Sequence, residues 1–346
     1  MDFSFSPEQD GLRSVARDFL SDTLPAHRMA ELANSAPGWD PTSWPRLVGL
    51  GWLDADLTFL DRVVLAEESG AALLAAPWLG TVTLARDLLP EGNAVRDAIA
   101  EGGVRLAAGA TDVALDVDDG TGTASATIVG IPDLRWATHA VLPLAGSDRV
   151  AVIDLDDDRA SAVALDSLDA TRPVGTLRLD RCPVELVVNP ARASAVMSYL
   201  AALACEALGV GRTALALGVE HAGTRVQFGK PLGVYQGVSH RLAHTFQNLE
   251  LARSLSYRAA WSVDAHPTLS AVDRALIAGA ALRAGAMAVE ACEDTLQVLG
   301  GIGMTWDHPL HRWYKRAVSS YGVAAQLVND SKALDGLGDG TIPIAA

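Results

Sequence analysis

The chain has 346 residues, of which 49% are hydrophobic and 5% aromatic, so it can form a substantial core and is not a disordered chain. Its formal net charge of −15 argues against a nucleic-acid-binding surface, because phosphates are neutralised by clustered lysine and arginine. Three cysteines without a CxxC pair argue against a disulfide framework.

The N-terminal segment predicts no export signal. Met1–Pro7 contains neither a basic stretch nor an apolar segment of signal-peptide type. No uninterrupted apolar run reaches membrane-spanning length, since the alanine- and leucine-rich run Val196–Leu208 is too short and contains Glu206. We therefore expect a cytoplasmic protein that does not engage a membrane.

The first hundred residues have helical periodicity. Ser6 is a favourable N-cap, Pro7 suits the first turn, and Gln9 completes a capping-box pattern. One buried face is predicted from the apolar spacing of Leu12, Val15, Ala16, Phe19 and Leu20. Further helices are predicted at Ser43–Leu50, Leu60–Leu73 and Leu79–Leu88. Residues 1–103 therefore form a predicted helical domain.

Short β-prone runs separated by Gly, Asp and Pro follow in residues 104–189. Strands are predicted at Ala124–Val129, Ala140–Leu144, Arg149–Leu155, Ala160–Leu165, Thr176–Leu179 and Val184–Val188. Runs of this length and spacing indicate a small antiparallel sheet or barrel.

Helical periodicity returns in residues 190–346. Helices are predicted at about 191–223, 234–265, 268–299 and 307–331, with short connections between them. Four long helices joined in this way favour an up-and-down bundle. The predicted fold class is therefore mostly α, with a small β middle domain.

The segment Arg225–Gln236 joins two of these helices. It combines a cation, amides, an aromatic ring and glycines, which together suit a pyrophosphate flanked by rings. A loop with a phenylalanine that fills the core explains the same residues without a ligand. The residue pattern alone leaves both interpretations open.

The segment Gln297–Met304 lies at the end of the third of these helices, which is predicted at 268–299. Its glycines at 300, 301 and 303 allow close approach to the backbone, although a helix C-cap explains them equally well. His308 and His311 stand three residues apart, but Pro309 lies between them and other ligands are missing. We therefore predict no metal site.

These two segments resemble the acyl-CoA dehydrogenase family. Arg225–Gln236 matches its R-x-x-F-G-x-x-x-x-x-x-Q signature, and Gln297–Gly301 matches its Q-x-x-G-G motif. Trp44–Trp52 and Glu67–Gly70 are similar to parts of the family's N-terminal helical domain. The resemblance implies the family fold, which consists of an N-terminal helical domain, a β domain and a C-terminal four-helix bundle.

The resemblance also implies a cofactor and a reaction. In the family both motifs reach across a dimer interface to a neighbour's FAD. The implied FAD-contacting residues here are Arg225, Gln227, Phe228, Gln236, Gln297, Gly300 and Gly301. The family reaction is α,β-dehydrogenation of an acyl-CoA thioester, in which a glutamate removes the α-proton and hydride passes to the flavin.

This chain departs from the family at the catalytic base. Counted along the family pattern, the two known base positions are occupied by Ala324 and Tyr199, and neither is a carboxylate. We therefore assign no catalytic residue. Glu206 follows Tyr199 by two helical turns, which displaces it by roughly 10 Å. It is either a relocated base or a structural glutamate between helices.

The middle domain departs as well. The family's Thr-Glu-Pro…Gly-Ser-Asp-like flavin segment has no counterpart between Val104 and Val141, although Trp136 lies near the place of a flavin-stacking aromatic. The chain thus resembles the short α subunits of actinobacterial heterotetrameric acyl-CoA dehydrogenases of sterol catabolism. The implied partners are a full-length dehydrogenase subunit, an acyl-CoA substrate and electron-transfer flavoprotein as acceptor.

Two other hypotheses stay open from the sequence. One is a self-sufficient homo-oligomeric dehydrogenase with Glu206 as base. The other is a non-catalytic scaffold that kept the fold and lost FAD, against which the retained Arg225, Phe228, Gln297 and Gly301 argue.

Overall fold

The computed structural model describes residues 5–33, 38–118 and 120–335. The chain divides into two units. The first contains Met1–Met29, Phe59–Leu74 and Leu200–Ala346, and the second contains Ala30–Thr58 and Ala75–Tyr199. The three-part division at residues 103 and 189 stays a prediction.

Helices occupy both ends of the chain. They are α1 (Pro7–Thr23), α2 (Ala26–Ala33), α3 (Ser43–Gly49), α4 (Phe59–Ala71), α5 (Trp78–Gly80), α6 (Arg86–Leu88), α7 (Ala94–Asp97), α8 (Arg192–Thr224), α9 (Gln236–Ala265), α10 (Ala271–Leu299) and α11 (Leu310–Asp330). A π-helical turn at Thr81–Ala85 joins α5 to α6. The four long C-terminal helices lie where the periodicity predicted them, whereas α2 and α7 were not predicted.

Helix α1 begins with the predicted capping box. The Ser6 hydroxyl accepts from the Gln9 amide at 3.2 Å, and the Gln9 side chain accepts from the Ser6 amide at 3.1 Å. The predicted buried face is narrower than expected. Ala16, Phe19 and Leu20 are buried, but Val15 is 49% exposed. Inclusion of Val15 in the core was therefore wrong.

The second unit contains two four-stranded sheets. Their strands are β1 (Leu106–Ala108), β2 (Val117–Asp118), β3 (Thr123–Pro132), β4 (His139–Pro143), β5 (Arg149–Asp154), β6 (Ala160–Ala164), β7 (Val174–Pro183) and β8 (Glu185–Val188). One sheet has the order β1-β4-β5-β8 and the other β2-β3-β7-β6. Pairing is antiparallel except between β1 and β4. The predicted strands are present, but they form two sheets and include one parallel pair.

The two sheets share one apolar core. Leu142 and Ile153 from the first sheet and Ile131 and Leu177 from the second are among its fully buried members. Every second side chain of a strand points to the same face of its sheet, and these side chains form the core between the two sheets, as in a β-sandwich. The result is a small β unit with a core of its own.

Glycines let helices α4 and α8 of the first unit approach closely. A Cβ atom on Gly209 would lie 1.8 Å from the carbonyl oxygen of Glu67, and one on Gly70 would lie 2.1 Å from that of Glu206. No side chain fits at either position. The crossing therefore depends on the two glycines, and it fixes where Glu206 enters the helical core.

Two adjacent buried carboxylates, Glu67 and Glu68 of α4, link the helices of the first unit. Their ion-pair partners are Arg13 and Arg17 of α1, Arg212 of α8 and Arg253 of α9. Burial raises the pKa of Glu68, but hydrogen bonds from Arg212 and Arg17 outweigh it, so its pKa is lowered. The cluster thus holds four helices by charge as well as by packing.

Two helices are long and apolar enough to span a membrane by length and composition. They are α8 and the run Ala271–Met304, and 83% and 56% of their apolar stretches are buried within the protein. Charged residues interrupt both helices, Glu206 and Arg212 in α8 and Arg283 and Glu290 in the second, so neither contains an uninterrupted apolar run of that length. Core helices of soluble proteins pass the same test, so this is weak evidence for a membrane segment.

Candidate functional site

The motif after α8 forms a β-hairpin. Strands β9 (Val226–Gln227) and β10 (Lys230–Pro231) pair antiparallel, and Phe228 and Gly229 form the two-residue turn. Both turn residues have positive φ, 50° and 78°, as a type I′ hairpin turn requires. A phenylalanine in this region is strained. The turn directs Phe228 outward, and its side chain is 92% exposed.

The predicted ligand residues of this loop are unengaged. Arg225, Gln227 and Gln236 are exposed, and within the described chain no hydrogen bond or ion pair holds their side chains. The Tyr235 hydroxyl instead braces the hairpin by donating to the Gln227 carbonyl at 3.0 Å. Phe228 is not a core plug, so the alternative that explains it without a ligand fails.

The second motif ends α10. Gly300 stops the helix with φ 63° and ψ −137°, a conformation that only glycine adopts easily. A Cβ on Gly300 or Gly301 would meet nothing within 4 Å, so space beside this backbone is open. Gln297 is exposed and lacks an intramolecular side-chain partner in the part of the chain that is described.

Both motifs lie at one end of the bundle. Asp294, near the end of α10, accepts from Arg241 and from Thr245 near the start of α9, the latter at 2.6 Å. Burial lowers the pKa of His308 before α11, and the nearby His221 of α8 lowers it further. The end of α8, the start of α9, the end of α10 and the start of α11 therefore meet here.

These groups fit a phosphate-bearing dinucleotide such as FAD. An unpaired guanidinium pairs with phosphate oxygens, amide side chains hydrogen-bond directionally, and an exposed ring stacks on a heterocycle. Open glycine backbone allows close contact. Arg225, Gln227, Phe228, Gln236, Gln297, Gly300 and Gly301 remain predicted contacts.

The two base positions carry buried side chains that are not acids. Tyr199 of α8 is 3% exposed and Ala324 of α11 is 2% exposed. Ala324 lies on the buried face of α11 with Arg316 and Ser320. A methyl group at this position cannot accept a proton.

Glu206 is held in a buried ion pair. Arg316 Nη1 donates to Glu206 Oε1 at 2.8 Å, and the side chains are 0% and 1% exposed. The Ser320 hydroxyl donates to the other carboxylate oxygen at 3.5 Å. Protonation of Glu206 would break this buried ion pair, which is costly. This arrangement favours the structural interpretation of Glu206.

The loop after β1 lies within Val104–Val141, the range that has no counterpart of the family's flavin segment. Asp112 of this loop is bound by Arg192 through two hydrogen bonds of 2.5 and 3.0 Å. Trp136 is 3% exposed, and its ring lies 5.9 Å from that of Trp39. Its indole is therefore engaged in the interior of this unit.

Sequence reasoning missed Arg316. The signal was present, because Arg316 lies on the apolar face of α11 beside Ala317 and Trp313, and a cation on a buried face requires a partner.

The described residues contain no group of three or more metal-ligating side chains.

The chain is similar to known proteins. A family model described as "Acyl-CoA dehydrogenase, C-terminal domain" matches residues 197–321. The acyl-CoA dehydrogenase FadE34 of Mycobacterium tuberculosis is 32% identical over 259 residues, which cover 74% of this chain but only 35% of FadE34. The acyl-CoA dehydrogenase IpdE2 of the same organism is 30% identical over 266 residues, covering 75% of this chain and 72% of IpdE2.

Solved structures share the fold. A variant of the Tcur3481-Tcur3483 steroid ACAD has a TM-score of 0.83 and 25% identity, covering 96% of this chain and 97% of that one. The ChsE4-ChsE5 complex from Mycobacterium tuberculosis has a TM-score of 0.88 and 21% identity, covering 99% and 100%. The two motifs, the fold and these relatives all indicate the same family. The chain belongs to the acyl-CoA dehydrogenase family, whose members are FAD-dependent oxidoreductases.

Proposed function

We propose that this chain is one subunit of a heteromeric FAD-dependent acyl-CoA dehydrogenase. It pairs with a full-length family member in a heterotetramer. The end of the bundle that carries the segments Arg225–Gln236 and Gln297–Gly301, here called the loop end, completes the FAD site of that partner. The partner supplies the catalytic base.

The main support is that neither of the family's two base positions carries a carboxylate in this chain. Dehydrogenation removes a proton from the α-carbon and a hydride from the β-carbon, so a positioned base is required. Ala324 and Tyr199 stand at the family's base positions, and Glu206 is held by Arg316 at 2.8 Å in the core. A partner's carboxylate supplies what these three residues do not.

The exposed loop end supports the second part of the proposal. Phe228 is 92% exposed, and Met304 and Trp306 beside the second motif are 78% and 74% exposed. Large apolar side chains exposed together mark an interaction site. A partner with bound FAD covers this surface and engages Arg225.

The second unit supports the proposal that each interface forms a single working site. Its loop after β1 has no counterpart of the family's flavin segment, and Asp112 is engaged by Arg192. The chain therefore offers FAD contacts to a neighbour without a complete site of its own.

One similar structure supports the proposed substrate class. The Tcur3481-Tcur3483 protein is a steroid ACAD, and we assign this chain to acyl-CoA thioesters derived from a sterol side chain or ring. FAD, when bound, would supply the hydride acceptor for this reaction. We further propose electron-transfer flavoprotein as the acceptor that reoxidises it.

Expression with and without a partner tests the proposal. The chain is purified alone and after co-expression with a full-length family member, and absorbance near 450 nm and acyl-CoA oxidation are measured. We expect a colourless, inactive chain alone and a yellow, active complex. A mass measurement gives the stoichiometry.

The other hypotheses predict different results. A yellow, active homo-oligomer from this chain alone would favour a self-sufficient enzyme and sink the proposal. A stable complex that never binds FAD would favour a scaffold. If the partner binds FAD equally well without this chain, the loop end has no role in the FAD site.

A further inference from the structure

The second unit contains a cavity of about 440 Å³. The residues that line it include Trp39, Trp44 and Trp136. The rings of Trp39 and Trp136 lie 5.9 Å apart with an angle of 32° between their planes, and Trp44 is fixed by a hydrogen bond from its Nε1 to the Gly102 carbonyl at 3.0 Å. This volume is in the range of small-molecule pockets.

Two arginines at the cavity lack a carboxylate partner. Arg105 donates from Nε to the Trp136 carbonyl at 2.8 Å, and its guanidinium carbon lies 5.8 Å from the centre of the Trp39 ring. Arg135 is exposed. In the described part of the chain neither guanidinium forms an ion pair, and the described lining contains no acid.

The acids close in sequence to the lining residues form no ion pair with either arginine in the described chain; they are Asp40, Glu101 and Asp133. Asp40 follows Trp39, and its Oδ1 accepts from the Thr42 amide at 3.0 Å and from the Thr42 hydroxyl at 2.7 Å. Two guanidinium groups without an ion-pair partner in the described chain therefore line one concave site. Cations that line a concave site favour an anionic ligand.

The cavity and the loop that contains Asp112 lie at opposite ends of β1. Arg105 directly precedes β1, and Trp136 and Ala137 shortly precede β4, which runs parallel to β1. The cavity thus lies at the amino ends of both strands. The loop that contains Asp112 follows the carboxyl end of β1, roughly 10 Å away along a three-residue strand.

We infer that this cavity binds a small organic anion that carries a flat ring, such as an aryl carboxylate or a nucleoside monophosphate. Guanidinium groups pair with carboxylate and phosphate oxygens in fork geometry. Indole rings provide apolar walls for an aromatic body. The ligand is neither FAD nor the acyl-CoA substrate, so the site is additional to the dehydrogenase site.

Calorimetric titration of the full chain in its complex tests the inference. The probes are benzoate and AMP, with adenosine as a ring without charge and inorganic phosphate as a charge without a ring. We expect benzoate or AMP to bind at least tenfold more tightly than adenosine and phosphate. The comparison of benzoate with AMP distinguishes a carboxylate from a phosphate ligand.

A charge reversal at the cavity provides the specific test. Arg135→Glu should weaken binding by tenfold or more, since it removes a charge-assisted contact and adds repulsion. Arg178→Glu is the control, because Arg178 is exposed in the same unit and does not line the cavity. Unchanged melting temperature and FAD content show that both variants fold.

Three outcomes would overturn the inference. In the first, neither benzoate nor AMP binds. In the second, phosphate or adenosine binds as well as the ring-bearing anions, or both variants lose affinity equally. In the third, FAD displaces the probe, which would make the cavity a flavin site of this chain.

Discussion

Glu206 and Arg316 form a buried ion pair, with Arg316 Nη1 2.8 Å from Glu206 Oε1. The two residues belong to α8 and α11 and lie 110 positions apart in the chain. Arg316 and Ser320, which both contact Glu206, share the buried face of α11 with Ala324. Glu206, which follows Tyr199 by two turns of α8, therefore holds two helices together.

Glu206→Gln should leave the turnover of the complex nearly unchanged. Glutamine cannot act as a base, so turnover depends on Glu206 only if Glu206 removes the proton. Loss of one partner of a buried pair should lower the free energy of unfolding by about 3–5 kcal/mol. Turnover, melting temperature and FAD content are measured together, with the exposed Glu220→Gln on α8 as control. A stable complex with bound FAD and a hundredfold loss of turnover would make Glu206 the base.

Arg225→Ala should release FAD without unfolding the chain. A charge-assisted pair with phosphate contributes about 1.5–3 kcal/mol, so FAD should bind roughly tenfold to a hundredfold more weakly. FAD retained after dialysis is the measurement. Arg149→Ala, at an exposed arginine of the second unit, should retain FAD fully. Equal retention in both variants would remove Arg225 from the site.

Phe228→Gly should weaken FAD binding while leaving thermal stability unchanged or slightly raised. The φ of Phe228 is 50°, which costs a non-glycine residue about 1 kcal/mol or more. Glycine relieves this strain but removes the exposed ring. Phe228→Ala is the matched control, because it loses the ring and keeps the strain, so it should melt below Phe228→Gly. Full FAD retention in both variants would show that the ring has no contact with the cofactor.

Gly209→Ala should destabilise the chain strongly. The new Cβ would lie 1.8 Å from the Glu67 carbonyl oxygen and 2.7 Å from the Ala71 nitrogen, and backbone atoms cannot move aside without separating α4 from α8. Overpacking of this kind costs about 1–3 kcal/mol or more. Gly223→Ala on the same helix meets nothing within 4 Å and should be neutral or stabilising. Similar melting temperatures for the two variants would contradict the close crossing.

Stability should fall in acid partly through Glu68. Its pKa is lowered in the folded state because hydrogen bonds from Arg212 and Arg17 outweigh the effect of burial. The folded protein therefore binds fewer protons, so the contribution is complete above the unfolded pKa of about 4.3 and is lost as the pH falls below it. Melting temperature is measured from pH 7 to about pH 3, so that the range includes the fall below the unfolded pKa. Glu68→Gln should melt lower at neutral pH and depend less on pH, and a steeper acid dependence than that of the native chain would contradict this assignment.

Local sequence signals define the helices and the two motifs. The four long helices begin and end within three residues of their predicted bounds, because apolar periodicity and glycine or proline breaks are local signals. The same holds for the capping box at Ser6. The motif residues Arg225 and Gln297 could be named because their spacing resembles a known family.

Tertiary structure alone decided the pairing of groups that are distant in the chain. The role of Glu206 depends on Arg316, the crossing of α4 and α8 depends on Gly209, and the division of the strands into two sheets depends on a shared core. Each of these requires knowing which faces of separate elements meet. Burial then makes the partner obligatory, since a charge or a strand edge removed from water must be satisfied by another part of the chain.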